Sequence, residues 1–176
     1  MRYWYIELFR ELLKNDIKFI VAGGIAVNLL GVPRFTADLD LIVALDRKNI
    51  LKFIKCMKKL CYVPKIPVKA EAFADEENRD KWIKEKNMRV FSFRQLDRPY
   101  EVLDIFVKEP FPFVELWREK ENIQLENITV PVVSIDHLIR LKKGANRLQD
   151  LSDVDALKKL KRELIDEKKR KAKKRG

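Results

Sequence analysis

The sequence is poor in the residues that define several protein classes. Its 176 residues include only two cysteines and one histidine. The spacing of Cys56 and Cys61 matches neither a redox pair nor a zinc knuckle, so both are expected to be reduced, as in a cytoplasmic protein. No apolar run approaches the ~20 residues of a membrane-spanning helix, and the opening MRYWYIELFRELL predicts an amphipathic helix rather than a signal peptide. These absences exclude a disulfide scaffold and argue against a membrane protein.

Acidic residues are outnumbered, and the excess of positive charge is unevenly distributed. The chain has 38 Lys and Arg residues against 27 Asp and Glu residues, a net charge of +11. Residues 158–176 hold eleven basic and three acidic residues, a net of +8, so residues 1–157 carry only +3. We therefore expect one domain over residues 1–157 and a basic helix end or tail over residues 158–176. The tail is either a solubilising terminus or an arm that binds the phosphate backbone of RNA.

Apolar runs and helical spacings alternate along the chain, which indicates an α/β (α+β) fold. The apolar runs predict strands over residues 17–22, 37–45, 88–93, 101–107 and 129–133. Helical periodicity predicts helices over residues 3–14, 25–30, 47–60, 71–86, 134–147 and from 150 onward, with a loop at 110–117. The pair Arg98-Pro99 predicts a tight reversal, hence an antiparallel hairpin. We expect a mixed, mainly antiparallel sheet of four or five strands, with helices largely on one face.

The strongest chemical signal lies in residues 19–43, FIVAGGIAVNLLGVPRFTADLDLIV. A buried strand delivers Gly23 and Gly24 to the start of a helix, where backbone N–H groups can approach an anion closely. Asp38 and Asp40 follow at the start of the next strand. Residues two apart on a strand project from the same face, so these carboxylates point together while Leu39 turns toward the core.

A pair of carboxylates on one strand face suggests a bound cation. At a separation of about 4 Å they repel each other by roughly 4 kcal/mol, which a cation between them relieves. Hard oxygen ligands without nearby histidine or cysteine favour Mg²⁺ or Mn²⁺. Chemistry with two metal ions needs a third carboxylate. Asp104 is the candidate, because an unpaired charge inside the apolar strand VLDIFV is costly. If its strand neighbours that of Asp38 and Asp40, the three carboxylates form one cluster.

The run AGGIAVNLLGVPRFTADLDLIV resembles the nucleotidyltransferase superfamily with the polymerase-beta-like fold, in which two glycines and a short helix precede Asp-x-Asp. It is most similar to small prokaryotic members, the aminoglycoside-type and the AbiEii-type toxin nucleotidyltransferases. The segment LIRLKKGANRLQDLSDVDAL, residues 138–157, also resembles those groups. Together the similar parts cover most of residues 17–157.

The resemblance implies a role for each matching residue. It assigns catalysis and metal binding to Asp38, Asp40 and Asp104, with Asp104 also accepting a proton from the acceptor hydroxyl. It assigns nucleoside triphosphate (NTP) binding to Gly23, Gly24, Arg34, Thr36 and Lys142. Many members have Gly-Ser where this chain has Gly-Gly, so one phosphate contact is missing at that point. Lys142 would neutralise the leaving pyrophosphate, although Lys143 competes for that role.

The implied reaction is the Mg²⁺-dependent transfer of a nucleoside monophosphate from ATP or another NTP to an acceptor. The acceptor is a small molecule, RNA or a protein side chain, and a homodimer or a partner protein would complete the cleft. The alternative is a non-catalytic member that binds a nucleotide or a partner, as in a toxin–antitoxin pair. The local pattern at Asp150 and Asp153 favours a helix N-cap with a capping box over ligand contact.

Overall fold

The computed structural model describes residues 4–145 and 147–173, so Tyr3, the expected first helical residue, and tail residues 174–176 lie outside the described part. A seven-stranded sheet forms the centre of the structure. Its strands are β1 (Phe19–Ala22), β2 (Leu39–Val43), β3 (Tyr62–Pro64), β4 (Val90–Gln95), β5 (Val102–Phe106), β6 (Glu121–Leu125) and β7 (Ile128–Val132). Across the sheet they are ordered β3-β4-β5-β2-β1-β7-β6.

Seven α-helices and a 3₁₀ turn, Ala70–Ala74, connect these strands in the described part of the chain. The helices are α1 (Trp4–Lys14), α2 (Gly23–Leu29), α3 (Arg47–Lys59), α4 (Glu76–Lys86), α5 (Phe113–Glu119), α6 (Ile135–Ala145) and α7 (Leu148–Lys173). The side chain of Asp46 caps α3 by accepting a hydrogen bond from the Asn49 N–H at 2.9 Å. No helix among the described residues is long and apolar enough to cross a bilayer.

Strand pairing confirms the expected mixed, mainly antiparallel sheet. Four of the six pairings are antiparallel, and the pairs β1–β7 and β2–β5 are parallel. The antiparallel hairpin expected around Arg98-Pro99 is the β4–β5 pair. Every residue of the central strand β1 is buried, because its sequence FIVA is apolar and strands flank it on both sides.

The register of β2 against β5 brings two distant acidic residues together. The strands are parallel, and Asp40 lies directly opposite Asp104. The residues that flank these two in sequence, Leu39, Leu41, Leu103 and Ile105, are fully buried. The alternation of the strand therefore sends the leucine and isoleucine side chains into the core and both carboxylates to the other face. The strand of Asp104 does neighbour that of Asp40, as the metal hypothesis requires.

Several element predictions were wrong. The expectation of four or five strands missed β3 and β6, which form the two edges of the sheet. β3 has only three residues and contains Pro64, while β6 reads ENIQL and is largely exposed, so neither contains an apolar run long enough to predict a strand. The expected loop at residues 110–117 contains helix α5 instead. Asp38, expected inside the second strand, is an exposed residue immediately before it.

Candidate active site

The turn from β1 into α2 fits closely against Asp40. Antiparallel pairing places Ala22 opposite Asp40, so the next residue, Gly23, passes over its carboxylate. Gly23 has a φ of +62°, and a Cβ built on it would lie 1.8 Å from Asp40 Oδ2. A Cβ at Gly24 would lie 2.5 Å from Thr36 Oγ1. Both glycines are therefore required by close approach, and the first also by its backbone conformation.

The carboxylates of Asp38, Asp40 and Asp104 interact electrostatically. Burial raises the pKa of Asp40 to about 6, and the negative charges of Asp104 and Asp38 add to that shift. Burial also raises the pKa of Asp104, against the opposing hydrogen bond from Ser92, its partner on β4. Asp104 Oδ1 is buried and has no hydrogen-bond partner. An acceptor atom in that state is costly unless a ligand or a cation completes it.

A buried ionic network lies across from these carboxylates. Lys142 on α6 is only 6% exposed, and its Nζ lies 3.1 Å from Asp150 Oδ1 and 2.7 Å from Asp153 Oδ2 on α7. Arg34, from the α2–β2 loop, forms an ion pair with the same Asp153 oxygen. Arg147 Nε lies 3.7 Å from Asp150 Oδ2. Two acidic residues of α7 thereby hold Lys142 and Arg34, while the 82% exposed side chain of Arg147 leaves Asp150 Oδ2 without a hydrogen bond.

All eight residues expected at the site line a single cleft of about 300 Å³: Gly23, Gly24, Arg34, Thr36, Asp38, Asp40, Asp104 and Lys142. The same lining includes the cations Arg89 and Arg147 and the carboxylate of Asp150. Lys143, the competing lysine, is exposed and does not line the cleft. Within residues 4–145 and 147–173, no three acidic, histidine or cysteine side chains are gathered closely enough to form a metal cage. The three aspartates thus share a cleft without converging on one point.

Sequence reasoning missed three polar residues of this cleft: Arg89, Arg147 and Asp150. Arg89 immediately precedes the apolar strand β4. Nothing in the local sequence indicates that it lines the cleft, because this depends on the pairing of β4 with β5. Arg147 lies between α6 and α7, and its charge lowers the pKa of Asp40, as does that of Lys142. The only available signal for Arg147 was its place in the segment that resembles the family.

The capping prediction for Asp150 was wrong. Helix α7 begins at Leu148, so Asp150 lies inside its first turn rather than at its N-cap. Asp153 is 3% exposed and contacts Lys142 and Arg34 instead of completing a capping box. The local sequence pattern is compatible with a cap, but the buried Lys142 and the partly buried Arg34 form ion pairs with these carboxylates instead.

Replacing Asp153 by asparagine is expected to destabilise the fold by about 3 kcal/mol, because removing one partner leaves buried charge unpaired. Urea unfolding of the D153N protein measures this. The matched control is Asp136→Asn, which breaks an exposed pair with Lys161 and should cost less than about 1 kcal/mol. Equal losses in the two variants would contradict the network described above.

Comparison with known proteins agrees with this geometry. A family model described as nucleotidyl transferase AbiEii toxin of type IV toxin–antitoxin systems matches residues 8–175. The chain belongs to the AbiEii nucleotidyl transferase family. This confirms the resemblance found in the sequence and makes the protein a member of a family of nucleotidyltransferase enzymes from toxin–antitoxin systems. No curated protein matches the chain in sequence.

Solved structures show that this AbiEii family member has the nucleotidyltransferase fold. A lincosamide antibiotic adenylyltransferase with bound lincomycin superimposes with a TM-score of 0.60 at 14% identity, covering 88% of this chain and 94% of the other. The protein ANT(2″)-Ia in complex with adenylyl-2″-tobramycin gives 0.56 at 14% identity and 88% coverage of both chains. A nucleotidyltransferase-like protein from Paracoccidioides brasiliensis gives 0.54 at 15% identity, covering 86% and 72%.

Proposed function

We propose that the protein transfers a nucleoside monophosphate from an NTP to an acceptor and releases pyrophosphate, in a reaction that depends on Mg²⁺ or Mn²⁺. The observation that supports this is the distribution of charge in one cleft. Asp38, Asp40 and Asp104 line the same cleft as Lys142 and Arg34. A divalent ion and a triphosphate need these two environments side by side.

The chemistry of the donor set suits a hard divalent cation, although such an ion would have to draw the three carboxylates closer together than they lie in the structure. Asp104 Oδ1 is a buried acceptor without a partner, and Asp40 lies opposite it in the register of the sheet. Asp38, Asp40 and Asp104 would hold the ion, and a site made only of carboxylate oxygens suits Mg²⁺ or Mn²⁺. When bound, such an ion neutralises negative charge on the reacting phosphate.

The phosphates would lie between the glycine turn and the cations. Gly23 and Gly24 leave the backbone accessible there, since neither has a side chain. The serine hydroxyl that many family members carry at position 24 is absent, but Thr36 Oγ1 fills the space beside Gly24. We infer that Thr36 donates the missing hydrogen bond to a phosphate oxygen, and that Lys142 and Arg34 bind the phosphates by charge.

In the proposed step, an acceptor hydroxyl oxygen attacks the α-phosphorus. The bond between that phosphorus and the oxygen that bridges to the β-phosphate breaks, and the electron pair leaves with pyrophosphate. The hydroxyl proton passes to Asp104, whose carboxylate lines the cleft opposite Asp40 in the sheet register. Lys142 and Arg34 stabilise the negative charge that develops on the leaving group.

Labelling tests the proposal. The protein is incubated with cell extract, Mg²⁺ and one NTP at a time, each carrying the label in its α-phosphate. We expect one NTP to label an acceptor and EDTA to abolish labelling. Nucleotide binding without transfer from any NTP would instead identify a non-catalytic binding module.

The family description names a toxin, so we propose that the protein acts in the cytoplasm on a cellular acceptor and is inhibited by an antitoxin.

We further propose that the basic end of α7 contacts RNA. Residues 158–173 carry nine basic and three acidic residues in one continuous helix. Helix α7 crosses the expected boundary at 157/158 without a break, and the division into domain and tail stays a prediction.

A further inference from the structure

Ser92 is a polar residue next to the carboxylates that has no role in the proposed transfer step. It lies in the middle of β4, whose sequence is VFSFRQ, between the buried rings of Phe91 and Phe93. The register of the hairpin places it directly opposite Asp104 on β5. Because side chains alternate along a strand, Ser92 projects away from the core, on the same face of the sheet as the Asp104 carboxylate.

The side chain of Ser92 contacts one oxygen of Asp104. Its hydroxyl donates a hydrogen bond to the carboxylate. Asp104 Oδ1 is buried without a partner, so the bond is to Oδ2. Directly opposed residues of antiparallel strands have Cβ atoms about 4.5–5.5 Å apart, a separation that a short hydroxyl side chain can bridge. The backbone of Ser92 is fixed as well, since its carbonyl oxygen accepts a hydrogen bond from the Lys65 N–H at 2.9 Å.

This contact orients Asp104 without neutralising it, because a hydroxyl group carries no net charge. In the part of the chain that the structure describes, Lys142 and Arg34 form their ion pairs with acidic residues of α7, and no lysine or arginine forms one with Asp104. A cationic side chain at position 92 would compete with a metal ion for the carboxylate. A serine leaves the negative charge available to such an ion.

The two carboxylates that face each other across β2 and β5 are held by different means. Asp40 is confined sterically by the Gly23 turn, where a Cβ would lie 1.8 Å from its Oδ2. Asp104, opposite it in the register, is held by the hydrogen bond from Ser92. Metal ligands are commonly oriented by an outer hydrogen-bond partner in this way, and the loss of that partner lowers metal affinity or activity roughly 10- to 100-fold.

We propose that Ser92 is a positioning residue of the metal site. Its hydroxyl fixes the Asp104 carboxylate so that Oδ1 is presented to a divalent cation that Asp40 also binds. This inference rests on the proposed transferase function, and it adds to that site a residue that contacts neither the NTP nor the ion.

The test is the binding of Mn²⁺, measured by electron paramagnetic resonance on the full chain without NTP. Ser92→Ala removes the hydroxyl and should weaken Mn²⁺ binding roughly 10- to 100-fold. Ser92→Thr keeps a hydroxyl on a residue type that strands favour, and should restore most of the affinity. The Mg²⁺ concentration that gives half-maximal transfer should rise in S92A and fall again in S92T.

Two further variants distinguish positioning from a general effect on the fold or on charge. Thr129→Ala removes a hydroxyl that bonds to Gln124 at 3.0 Å across the β6–β7 pair, so it should lower stability much as S92A does and leave Mn²⁺ binding unchanged. Lys65→Met removes an exposed positive charge that acts on Asp104. It should leave Mn²⁺ binding equal or tighter, because the charge it removes repels a cation.

Unchanged Mn²⁺ affinity in S92A would overturn the positioning role of Ser92. So would a loss that S92T fails to restore while circular dichroism shows that variant to be folded like the wild type. If the wild-type protein itself binds no Mn²⁺, the proposed function is overturned together with this inference. If S92A weakens Mn²⁺ binding but no NTP supports transfer, the role of Ser92 is supported and the proposed function alone is overturned.

Discussion

Replacing Asp40 by asparagine should lower metal-dependent nucleotidyl transfer by roughly 10³-fold, because a divalent ion contributes several kcal/mol to the stabilisation of a phosphoryl transition state. Asp40 lies at the centre of the proposed metal site. It faces Asp104 across the β2–β5 pair and lies under the Gly23 turn. The rate is measured as labelled product per unit time at saturating Mg²⁺, with NTP affinity measured separately.

The same substitution should stabilise the metal-free protein. Burial and the charges of Asp104 and Asp38 raise the pKa of Asp40 to about 6, so at neutral pH the fold carries an ionised carboxylate that is less stable there than in the unfolded chain. Asparagine removes that charge and keeps the shape of the side chain. A shift of roughly two pKa units corresponds to about 3 kcal/mol, which is an upper figure for the gain at pH 7. Loss of activity and gain of stability in one variant would distinguish a functional carboxylate from a structural one.

The pH dependence of stability follows from the direction of this shift. A carboxyl group with a raised folded-state pKa stabilises the fold below its unfolded pKa, about 4, and that contribution is lost as pH rises through about 6. Urea unfolding in EDTA at pH 4.5 and pH 7.5 should therefore show a wild-type decline in this window that D40N lacks, on top of changes shared by both. Saturating Mg²⁺ at pH 7.5 should restore stability to the wild type alone.

The prediction for D40N has a matched control and an outcome that would contradict it. Asp155→Asn on α7 removes an exposed carboxylate, 82% exposed, whose nearest cation is 3.8 Å away. It should leave both turnover and the pH profile as they are in the wild type. Full metal-dependent turnover in D40N would exclude Asp40 as a metal ligand, whatever its effect on stability.

The sequence could predict which aspartates lie in the cleft where the reasoning depended on neighbouring residues in the chain. Asp38 and Asp40 are two positions apart, so the period of a strand predicts side chains on one side; both do line the cleft, although Asp38 lies just before β2. Asp104 was predicted because a charge inside an apolar strand needs a reason, and the structure supplies its neighbour in the β2–β5 register. Whether these residues bind metal is part of the proposal; the proximity of Asp104 to the other two depends on the β2–β5 pairing, which no local rule supplies.

The residues that sequence reasoning misplaced depend on contacts between distant elements. Asp150 and Asp153 fit a capping pattern over four residues, yet their partners are Lys142 on α6 and Arg34, 119 positions from Asp153. A local sequence pattern cannot show whether such a carboxylate caps its own helix or pairs with a cation from a distant segment. The edge strands β3 and β6 were missed for a similar reason, because their pairing is determined by the neighbouring strand and not by their own apolar pattern.

The Gly23 turn offers the sharpest steric test of the site. Alanine at position 23 would have a φ of +62°, and its Cβ would lie 1.8 Å from Asp40 Oδ2. The backbone conformation costs about 1–2 kcal/mol and the overlap about 1–3 kcal/mol more. Relief of the overlap must move the Asp40 carboxylate or the turn itself. G23A should therefore lose about 2–5 kcal/mol of stability. It should also lose metal-dependent transfer at temperatures where it is still folded.

Two other glycines distinguish the effect of a strained backbone from that of the contact between Gly23 and Asp40. Gly31 also has a positive φ, +108°, but a Cβ there would meet nothing within 4 Å. G31A should therefore lose about 1–3 kcal/mol of stability and keep the transfer rate of the folded protein. Gly144, inside α6, has open space and no positive φ, so G144A should gain about 0.5–1 kcal/mol. If G31A lost turnover as completely as G23A, backbone strain alone would explain both, and the contact between Gly23 and Asp40 would have no special role in catalysis.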